Sequence, residues 1–191
     1  MRKVLYIFLF IPVLLLPACG QQEIDSNISE KVQDFEFTTQ DNETLSLHDL
    51  EGKWWIADFI FTNCTTVCLP MTSNMKKLQD KIKEEGLEAE LVSFTVDPDY
   101  DSPEVLKEYA IEYDADLSNW TFLTGYDFET IKEISISSFK QMLQEPAPGD
   151  DQVIHGTRFF LIDPEGTIVK FYSGIEAESI EEIMEDLKTV L

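Results

Sequence analysis

The chain has 191 residues and a formal net charge of −23, from 37 acidic and 14 basic side chains. This length suits one domain with a proper hydrophobic core and is short for two. A hydrophobic content of 43% with 12% aromatic residues argues against wholesale disorder. The negative charge excludes nucleic acid and anionic lipid head groups as favourable partners, and it is typical of a solvated, solubilising surface.

The first twenty residues differ from the rest of the chain. Arg2 and Lys3 precede an apolar run over 4–16 that is too short to span a bilayer comfortably, which is the pattern of an export signal. The segment Leu16-Pro17-Ala18-Cys19-Gly20 then resembles a bacterial lipobox. It predicts lipid attachment at Cys19 and anchoring at the extracytoplasmic face of the cell membrane. The predicted divisions are a signal peptide over 1–18, a polar tether over 19–31 and the folded domain over 32–191.

The first half of the domain contains clear strand and helix signals. Alternating apolar residues on both sides of Gln40-Asp41-Asn42 predict an N-terminal hairpin. The apolar run over 54–61 predicts a central strand that is buried on both faces, and the cysteine loop follows it directly. Apolar residues at helical spacing predict a helix over 71–85 that stops at Gly86.

The second half predicts further strands and helices around the same sheet. The predicted elements are a strand over 90–96, a helix from 103 to about 113 capped by Asp101, a strand over 120–123, a helix over 127–135, a loop over 145–151, paired strands over 157–162 and 167–172, and a helix over 178–191. This order predicts an α/β fold with a central mixed sheet flanked by helices. A cysteine pair that follows the first long central strand and opens a helix indicates a thioredoxin-like fold.

Cys64 and Cys68 are a candidate reactive or metal-binding pair, because lipidation of Cys19 leaves no other cysteine in the chain. A disulfide closing so short a loop would stabilise the fold little, even in an exported domain where disulfides persist. Residues four apart in the first turn of a helix share a face, and the helix N-terminus favours thiolate. Two thiolates are soft ligands that favour Cu(I), whereas structural zinc sites use four ligands.

His155 is the candidate third ligand. It stands between the Pro/Gly-rich loop and a predicted strand, where it can reach the cysteine loop. His48 lies in a polar turn with no partner motif and is interpreted as a surface residue. Asp97 stands at the end of the second parallel strand. It has either a purely structural role there, or it lies near the cysteine loop and tunes the metal site without binding the metal. Met71 and Met75 have the spacing of the core stripe and are assigned to the core.

Three segments together resemble the Sco family. They are Asn63-Cys64-Thr65-Thr66-Val67-Cys68 followed by Pro70-Met71, then Asp97-Pro98-Asp99-Tyr100-Asp101-Ser102-Pro103, then His155 ahead of Phe159-Phe160-Leu161-Ile162-Asp163. The resemblance covers roughly residues 32–190. It implies a thioredoxin fold and one copper ion, Cu(I) or Cu(II), bound by Cys64, Cys68 and His155. It also implies a partner, cytochrome c oxidase subunit II, whose binuclear copper site the protein helps to assemble. One departure is Leu69, where family members usually have proline directly after the second cysteine.

Other functions remain open on the residues alone. A thiol–disulfide oxidoreductase needs only Cys64 and Cys68, one attacking and one resolving. Such enzymes usually have a CxxC motif, whereas three residues separate the cysteines here. They also place a cis-proline before a strand that corresponds to the one starting at Thr157, where this chain has no proline. A thiol peroxidase is disfavoured because Phe61 stands where peroxiredoxins place a threonine. A copper-responsive sensor would use the same ligands as a chaperone.

Overall fold

The computed structural model describes residues 24–64, 68–149 and 151–191. The strands in these ranges are β1 Glu30–Lys31, β2 Glu36–Thr39, β3 Thr44–Ser46, β4 Trp54–Ile60, β5 Ala89–Thr95, β6 Trp120–Thr124, β7 Leu143–Gln144, β8 Ile154–His155, β9 Arg158–Ile162 and β10 Thr167–Ser173. The helices are α1 Cys68–Glu85, α2 Pro103–Glu112, α3 Phe128–Ser137 and α4 Glu178–Val190, with a 3₁₀ turn over Leu47–Leu50.

Eight strands form one mixed sheet in the order β1-β10-β9-β4-β5-β6-β2-β3, and β7 pairs with β8 in a separate two-stranded ladder. β4 pairs with β5 and β5 with β6 in parallel, whereas β9 pairs with β4 antiparallel. β2 and β3 form the predicted N-terminal hairpin at one edge. The prediction of an α/β fold with a mixed central sheet is confirmed.

Helices cover both faces of the sheet, and β4 separates two cores. Trp55, Ala57 and Phe59 point into the core that α3 covers. Ile56 and Ile60 point into the other core, beneath α1, α2 and α4. All five side chains are at most 1% exposed, and full burial of one large apolar side chain stabilises the fold by about 1.5–3 kcal/mol. Phe61, the residue after β4, continues this alternation and points into the same core as Phe59. The cysteine loop therefore begins at the end of a strand that is fixed on both faces.

The cap of α2 differs from the prediction. The Oγ atom of Ser102 accepts a hydrogen bond from the N–H of Val105 at 3.4 Å, so Ser102 is the cap and the assignment to Asp101 is wrong. Asp101 is fully buried instead and bonds to residues of the cysteine loop and of β5. The short strands β1, β7 and β8 were not predicted, because two residues carry no periodicity.

The predicted signal peptide and Cys19 lie outside the described residues. Within the described ranges, no helix combines the length and apolarity needed to cross a membrane. Residues assigned to the tether contact the sheet: Glu30 and Lys31 pair with β10, and Asn27 Nδ2 donates to the carbonyl of Phe171 at 3.0 Å.

Candidate metal centre

Cys64 and Cys68 lie where the chain passes from the central strand into the first helix. β4 ends at Ile60 and α1 begins at Cys68, so Cys64 belongs to the connecting loop rather than to the helix. The side chains are 7% and 1% exposed. The N–H of Cys68 donates to Sγ of Cys64 at 3.4 Å, and no disulfide joins the two residues. The two sulfur atoms therefore lie close together at the N-terminal end of α1.

Asp101 fixes the start of this loop. Its carboxylate accepts hydrogen bonds from the N–H of Thr62 at 3.2 Å, from the Thr62 hydroxyl at 2.5 Å, and from the Thr95 hydroxyl. The Asp101 N–H donates to the carbonyl of Asp97 at 2.9 Å, and this turn brings the carboxylate under the loop. Because Thr62 is two residues before Cys64, Asp101 connects the cysteine loop to the carboxyl end of β5. Sequence reasoning missed this role, because Asp-Ser-Pro reads equally well as a helix cap.

His155 reaches the cysteines from a different part of the chain. It lies in β8, which pairs antiparallel with β7 so that His155 stands opposite Leu143. The loop before β8 meets the cysteine loop: Asn63 Nδ2 donates to Asp151 Oδ2 at 3.1 Å, and Gln152 Nε2 donates to the carbonyl of Asn63 at 3.1 Å. These contacts hold the His155 segment against the cysteine loop.

The three predicted ligands form one cluster. One sulfur or nitrogen atom from each of Cys64, Cys68 and His155 lies within 4.8 Å of the other two. The Nε2 atom of His155 is 3.4 Å from Sγ of Cys68. Its Nδ1 atom is 2.8 Å from the carbonyl oxygen of Gly156, and since a carbonyl only accepts, Nδ1 carries the proton. The lone pair of the neutral imidazole therefore lies on Nε2, facing the sulfur atoms, in the arrangement common for metal-binding histidines.

The metal-free pair favours the thiol form at Cys68. The pKa of Cys68 is raised well above its ordinary value, first by its hydrogen bond with the Cys64 side chain and second by burial. These two effects outweigh the lowering of the thiol pKa by the helix N-terminus, which was the basis for predicting a thiolate from the sequence. Without a cation, two adjacent buried thiolates would repel each other, so a bound metal ion supplies the charge that deprotonation needs.

A buried carboxyl group lies beneath the site. Asp58 of β4 is fully buried, and burial raises its pKa to about 7, against the hydrogen bond that it accepts from Ser93 at 2.6 Å. Its Oδ2 atom has no hydrogen-bond partner among the residues that the structure describes. Asp58 interacts electrostatically with His155 and with Cys68. The sequence signal was available: one acidic residue stands inside the apolar run of β4.

The donor set fits a single soft metal ion. Metal–sulfur and metal–nitrogen bonds of about 2.0–2.3 Å place three ligands of one ion about 3.5–4 Å apart. The observed spacing therefore needs a contraction of about an ångström or less. Two sulfurs and one imidazole suit Cu(I), and they also suit Cu(II) when further ligands complete the shell.

The remaining sequence candidates lie outside this cluster. The Asp97 carboxylate does not join it within the described residues; burial, and then the charge of Asp99, raise its pKa. His48 is exposed and pairs with Glu51 at 3.0 Å. Met71 and Met75 are both 0% exposed in the core under α1, as predicted.

Comparison with known proteins identifies relatives of one family. A model of the SCO1/SenC family matches residues 25–191. The crystal structure of a SCO1/SenC family lipoprotein from Bacillus anthracis superposes with a TM-score of 0.81 at 48% identity, over 84% of this chain and 95% of that one. BsSco, described as a member of the Sco family of cytochrome c oxidase assembly proteins with a disulfide switch, gives a TM-score of 0.80 at 42% identity, over 89% and 98%.

A more distant structure, Arabidopsis thaliana ScoI with copper bound, gives a TM-score of 0.70 at 28% identity, over 83% of this chain and 96% of that one. The likeness to these Sco structures agrees with the thioredoxin-like fold that the sequence predicts. The family model covers nearly the whole described chain, and the first two structures cover 84% and 89% of the full chain. The chain belongs to the SCO1/SenC family.

Proposed function

We propose that this protein is a copper chaperone that binds one copper ion through Cys64, Cys68 and His155 and helps to assemble the binuclear copper site of cytochrome c oxidase subunit II. The observation that carries the proposal is the convergence of the three donors within 4.8 Å from two separate segments of the chain. The proposal is supported by the copper-bound ScoI of Arabidopsis and by the description of BsSco as an oxidase assembly protein.

The chemistry of the donors supports transfer rather than permanent storage. Three ligands leave a coordination position free, through which an incoming thiolate of a partner can bind before a ligand leaves. The cysteines and His155 come from two segments far apart in the chain, so the imidazole can release the ion while Cys64 and Cys68 keep their places at the start of α1. Exposed apolar side chains stand beside the ligands: Leu69 follows Cys68 and is 51% exposed, and Ile154 precedes His155 and is 49% exposed. They offer a contact surface to a partner protein.

A second candidate function is reduction of the acceptor's cysteines by the dithiol pair. The adjacency of the two sulfurs in one pocket favours it, because attack by one thiolate and resolution by the other need this arrangement. The disulfide switch described for BsSco is in keeping with redox chemistry in a relative. Exchange itself does not need an imidazole, whereas the copper site does, so His155 separates the two functions.

The test compares His155→Ala with His48→Ala, a matched histidine that is exposed and distant from the cysteines in sequence. Cytochrome oxidase activity is measured in cells carrying each variant, and disulfide exchange kinetics are measured on each purified protein. If the protein is a chaperone, we expect His155→Ala to abolish oxidase maturation, while the rate of disulfide exchange stays within about tenfold of the parent. Normal oxidase activity with His155→Ala would favour the reductase function instead.

The predicted location follows from Cys19. We propose that lipid on Cys19 holds the protein at the extracytoplasmic face of the membrane, where oxidase subunit II presents its copper site. The description of the Bacillus anthracis relative as a lipoprotein supports this location. The net charge of −23 makes electrostatic attachment to anionic lipids unfavourable, so a covalent anchor is the consistent means of membrane binding.

A further inference from the structure

The third ligand is held by a smaller framework than the other two. Cys64 and Cys68 follow the central strand of the eight-stranded sheet. Within the described ranges, β8, which carries His155, pairs with β7 alone. Both β7 and β8 have two residues. The geometry of His155 therefore depends on what holds the β7–β8 ladder in place.

Gln141, just before β7, connects this ladder to α3. Its N–H donates to the carbonyl of Ser135 at 2.9 Å, and the Ser135 hydroxyl donates to the carbonyl of Gln141 at 3.1 Å. Ser135 is fully buried and Gln141 is 3% exposed. The backbone of Gln141 is thus fixed to a helix that packs on the main sheet.

The side chain of Gln141 lies directly on Gly156. A Cβ atom added to Gly156 would be 2.5 Å from Cγ, Cδ and Oε1 of Gln141, so this side chain fills the space that a larger residue at 156 would take. The same glycine donates its N–H to the carbonyl of Met142 at 3.2 Å and accepts from Nδ1 of His155 at 2.8 Å. The glycine whose carbonyl orients the imidazole is therefore held between Met142 and the Gln141 side chain.

We propose that Gln141 is a positioning residue of the metal centre: its side chain, packed on Gly156, fixes the carbonyl that turns Nε2 of His155 towards Cys68. Neither Nε2 nor Oε1 of Gln141 has a hydrogen-bond partner among the described residues. Volume, and not hydrogen bonding by the amide, is what the site requires from this residue. The inference rests on the proposed function only in that His155 is a copper ligand.

The test uses four variants of the full-length, reduced protein: Gln141→Met, Gln141→Ala, Gly156→Ala and the double change Gln141→Ala with Gly156→Ala. Copper affinity is measured by competition with a chelator, and the Cu(II) complex is compared by absorption and electron paramagnetic resonance spectra. Gln141→Ala is expected to weaken copper binding by about tenfold and to alter the nitrogen signature of the spectrum, as for other residues that orient a metal-bound histidine. Gln141→Met keeps the volume and is expected to stay within about twofold of the parent.

Gly156→Ala introduces the clash and is expected to weaken binding as Gln141→Ala does, whereas the double change relieves the clash and recovers most of the affinity. If Gln141 acts through His155, Gln141→Ala has no further effect in a His155→Ala background. The inference is overturned if Gln141→Ala matches the parent, or if Gln141→Met loses as much affinity as Gln141→Ala. Failure of the parent to bind copper, or full affinity in His155→Ala, would instead overturn the proposed function.

Discussion

The Nε2 atom of His155 lies 3.4 Å from Sγ of Cys68, although 87 positions separate the two residues in the chain. The contact joins the first residue of α1 to a two-residue strand outside the main sheet. Bringing these groups together costs chain entropy, which the packing of the fold has already offset. The packing of distant segments is therefore what places the imidazole beside Cys68.

Copper should raise the thermal stability of the reduced protein strongly. A ligand that binds only the folded state at a thousandfold excess over its dissociation constant stabilises by about 4 kcal/mol, which corresponds to about 10 °C for a domain of this size. Oxidation of Cys64 and Cys68 to a disulfide consumes both sulfur ligands and should remove this shift. The measurement is a thermal melt with and without Cu(I), in both redox states. A shift of the same size in the oxidised protein would exclude the cysteines as ligands.

Changing Asp101 to Asn should loosen the cysteine loop. The amide offers one acceptor where the carboxylate accepts from both Thr62 and Thr95, so the free energy of unfolding should fall by about 1.5–3 kcal/mol and copper affinity should fall with it. Asp97→Asn is the control, because Asp97 supplies its backbone carbonyl to the same turn. Equal losses of affinity in the two variants would show that Asp97 tunes the site as strongly as Asp101.

Changing Asp58 to Asn should remove one source of pH dependence from the metal-free protein. Burial raises the Asp58 pKa to about 7 from 3.8, so between these values the folded state keeps a proton that the unfolded chain has lost. The free energy of unfolding of the parent therefore decreases as pH rises through this window, by up to about 4 kcal/mol. Denaturant titrations at pH 4 and pH 8 should show the variant gaining stability over the parent only at the higher pH. A constant difference would contradict the assignment.

Changing Cys19 to Ala should release the protein from membranes or leave it unprocessed, because acylation at Cys19 is the predicted anchor. Fractionation of cells and mass analysis of the N-terminus measure both outcomes. Membrane retention with a normally cleaved N-terminus would contradict the lipobox assignment.

The sequence predicted the parts of the fold that have local signals. The apolar run of β4 and the apolar stripe of α1 indicate buried surfaces from the sequence alone. Asp127 caps α3 at the predicted start of that helix, because its side chain accepts a hydrogen bond from the Thr130 N–H at 2.8 Å. The three candidate ligands could be selected because cysteine pairs and loop histidines are few in this chain.

The remaining features depend on contacts between distant segments. Ser102 and Asp101 are equally good caps in isolation, and only the approach of Thr62, 39 positions away, decides that Asp101 is buried under the loop. The packing of Gln141 on Gly156 likewise follows from the β7–β8 ladder, for which two-residue strands give no periodic signal.

The most direct test of the central claim is the copper content and spectrum of the reduced, full-length protein and of its His155→Ala variant, with His48→Ala as the control. The account predicts one copper ion per chain in the parent and in the control. It also predicts weaker binding in His155→Ala, with loss of the nitrogen contribution from the Cu(II) spectrum. An unchanged affinity and spectrum in His155→Ala would contradict a site built from Cys64, Cys68 and His155.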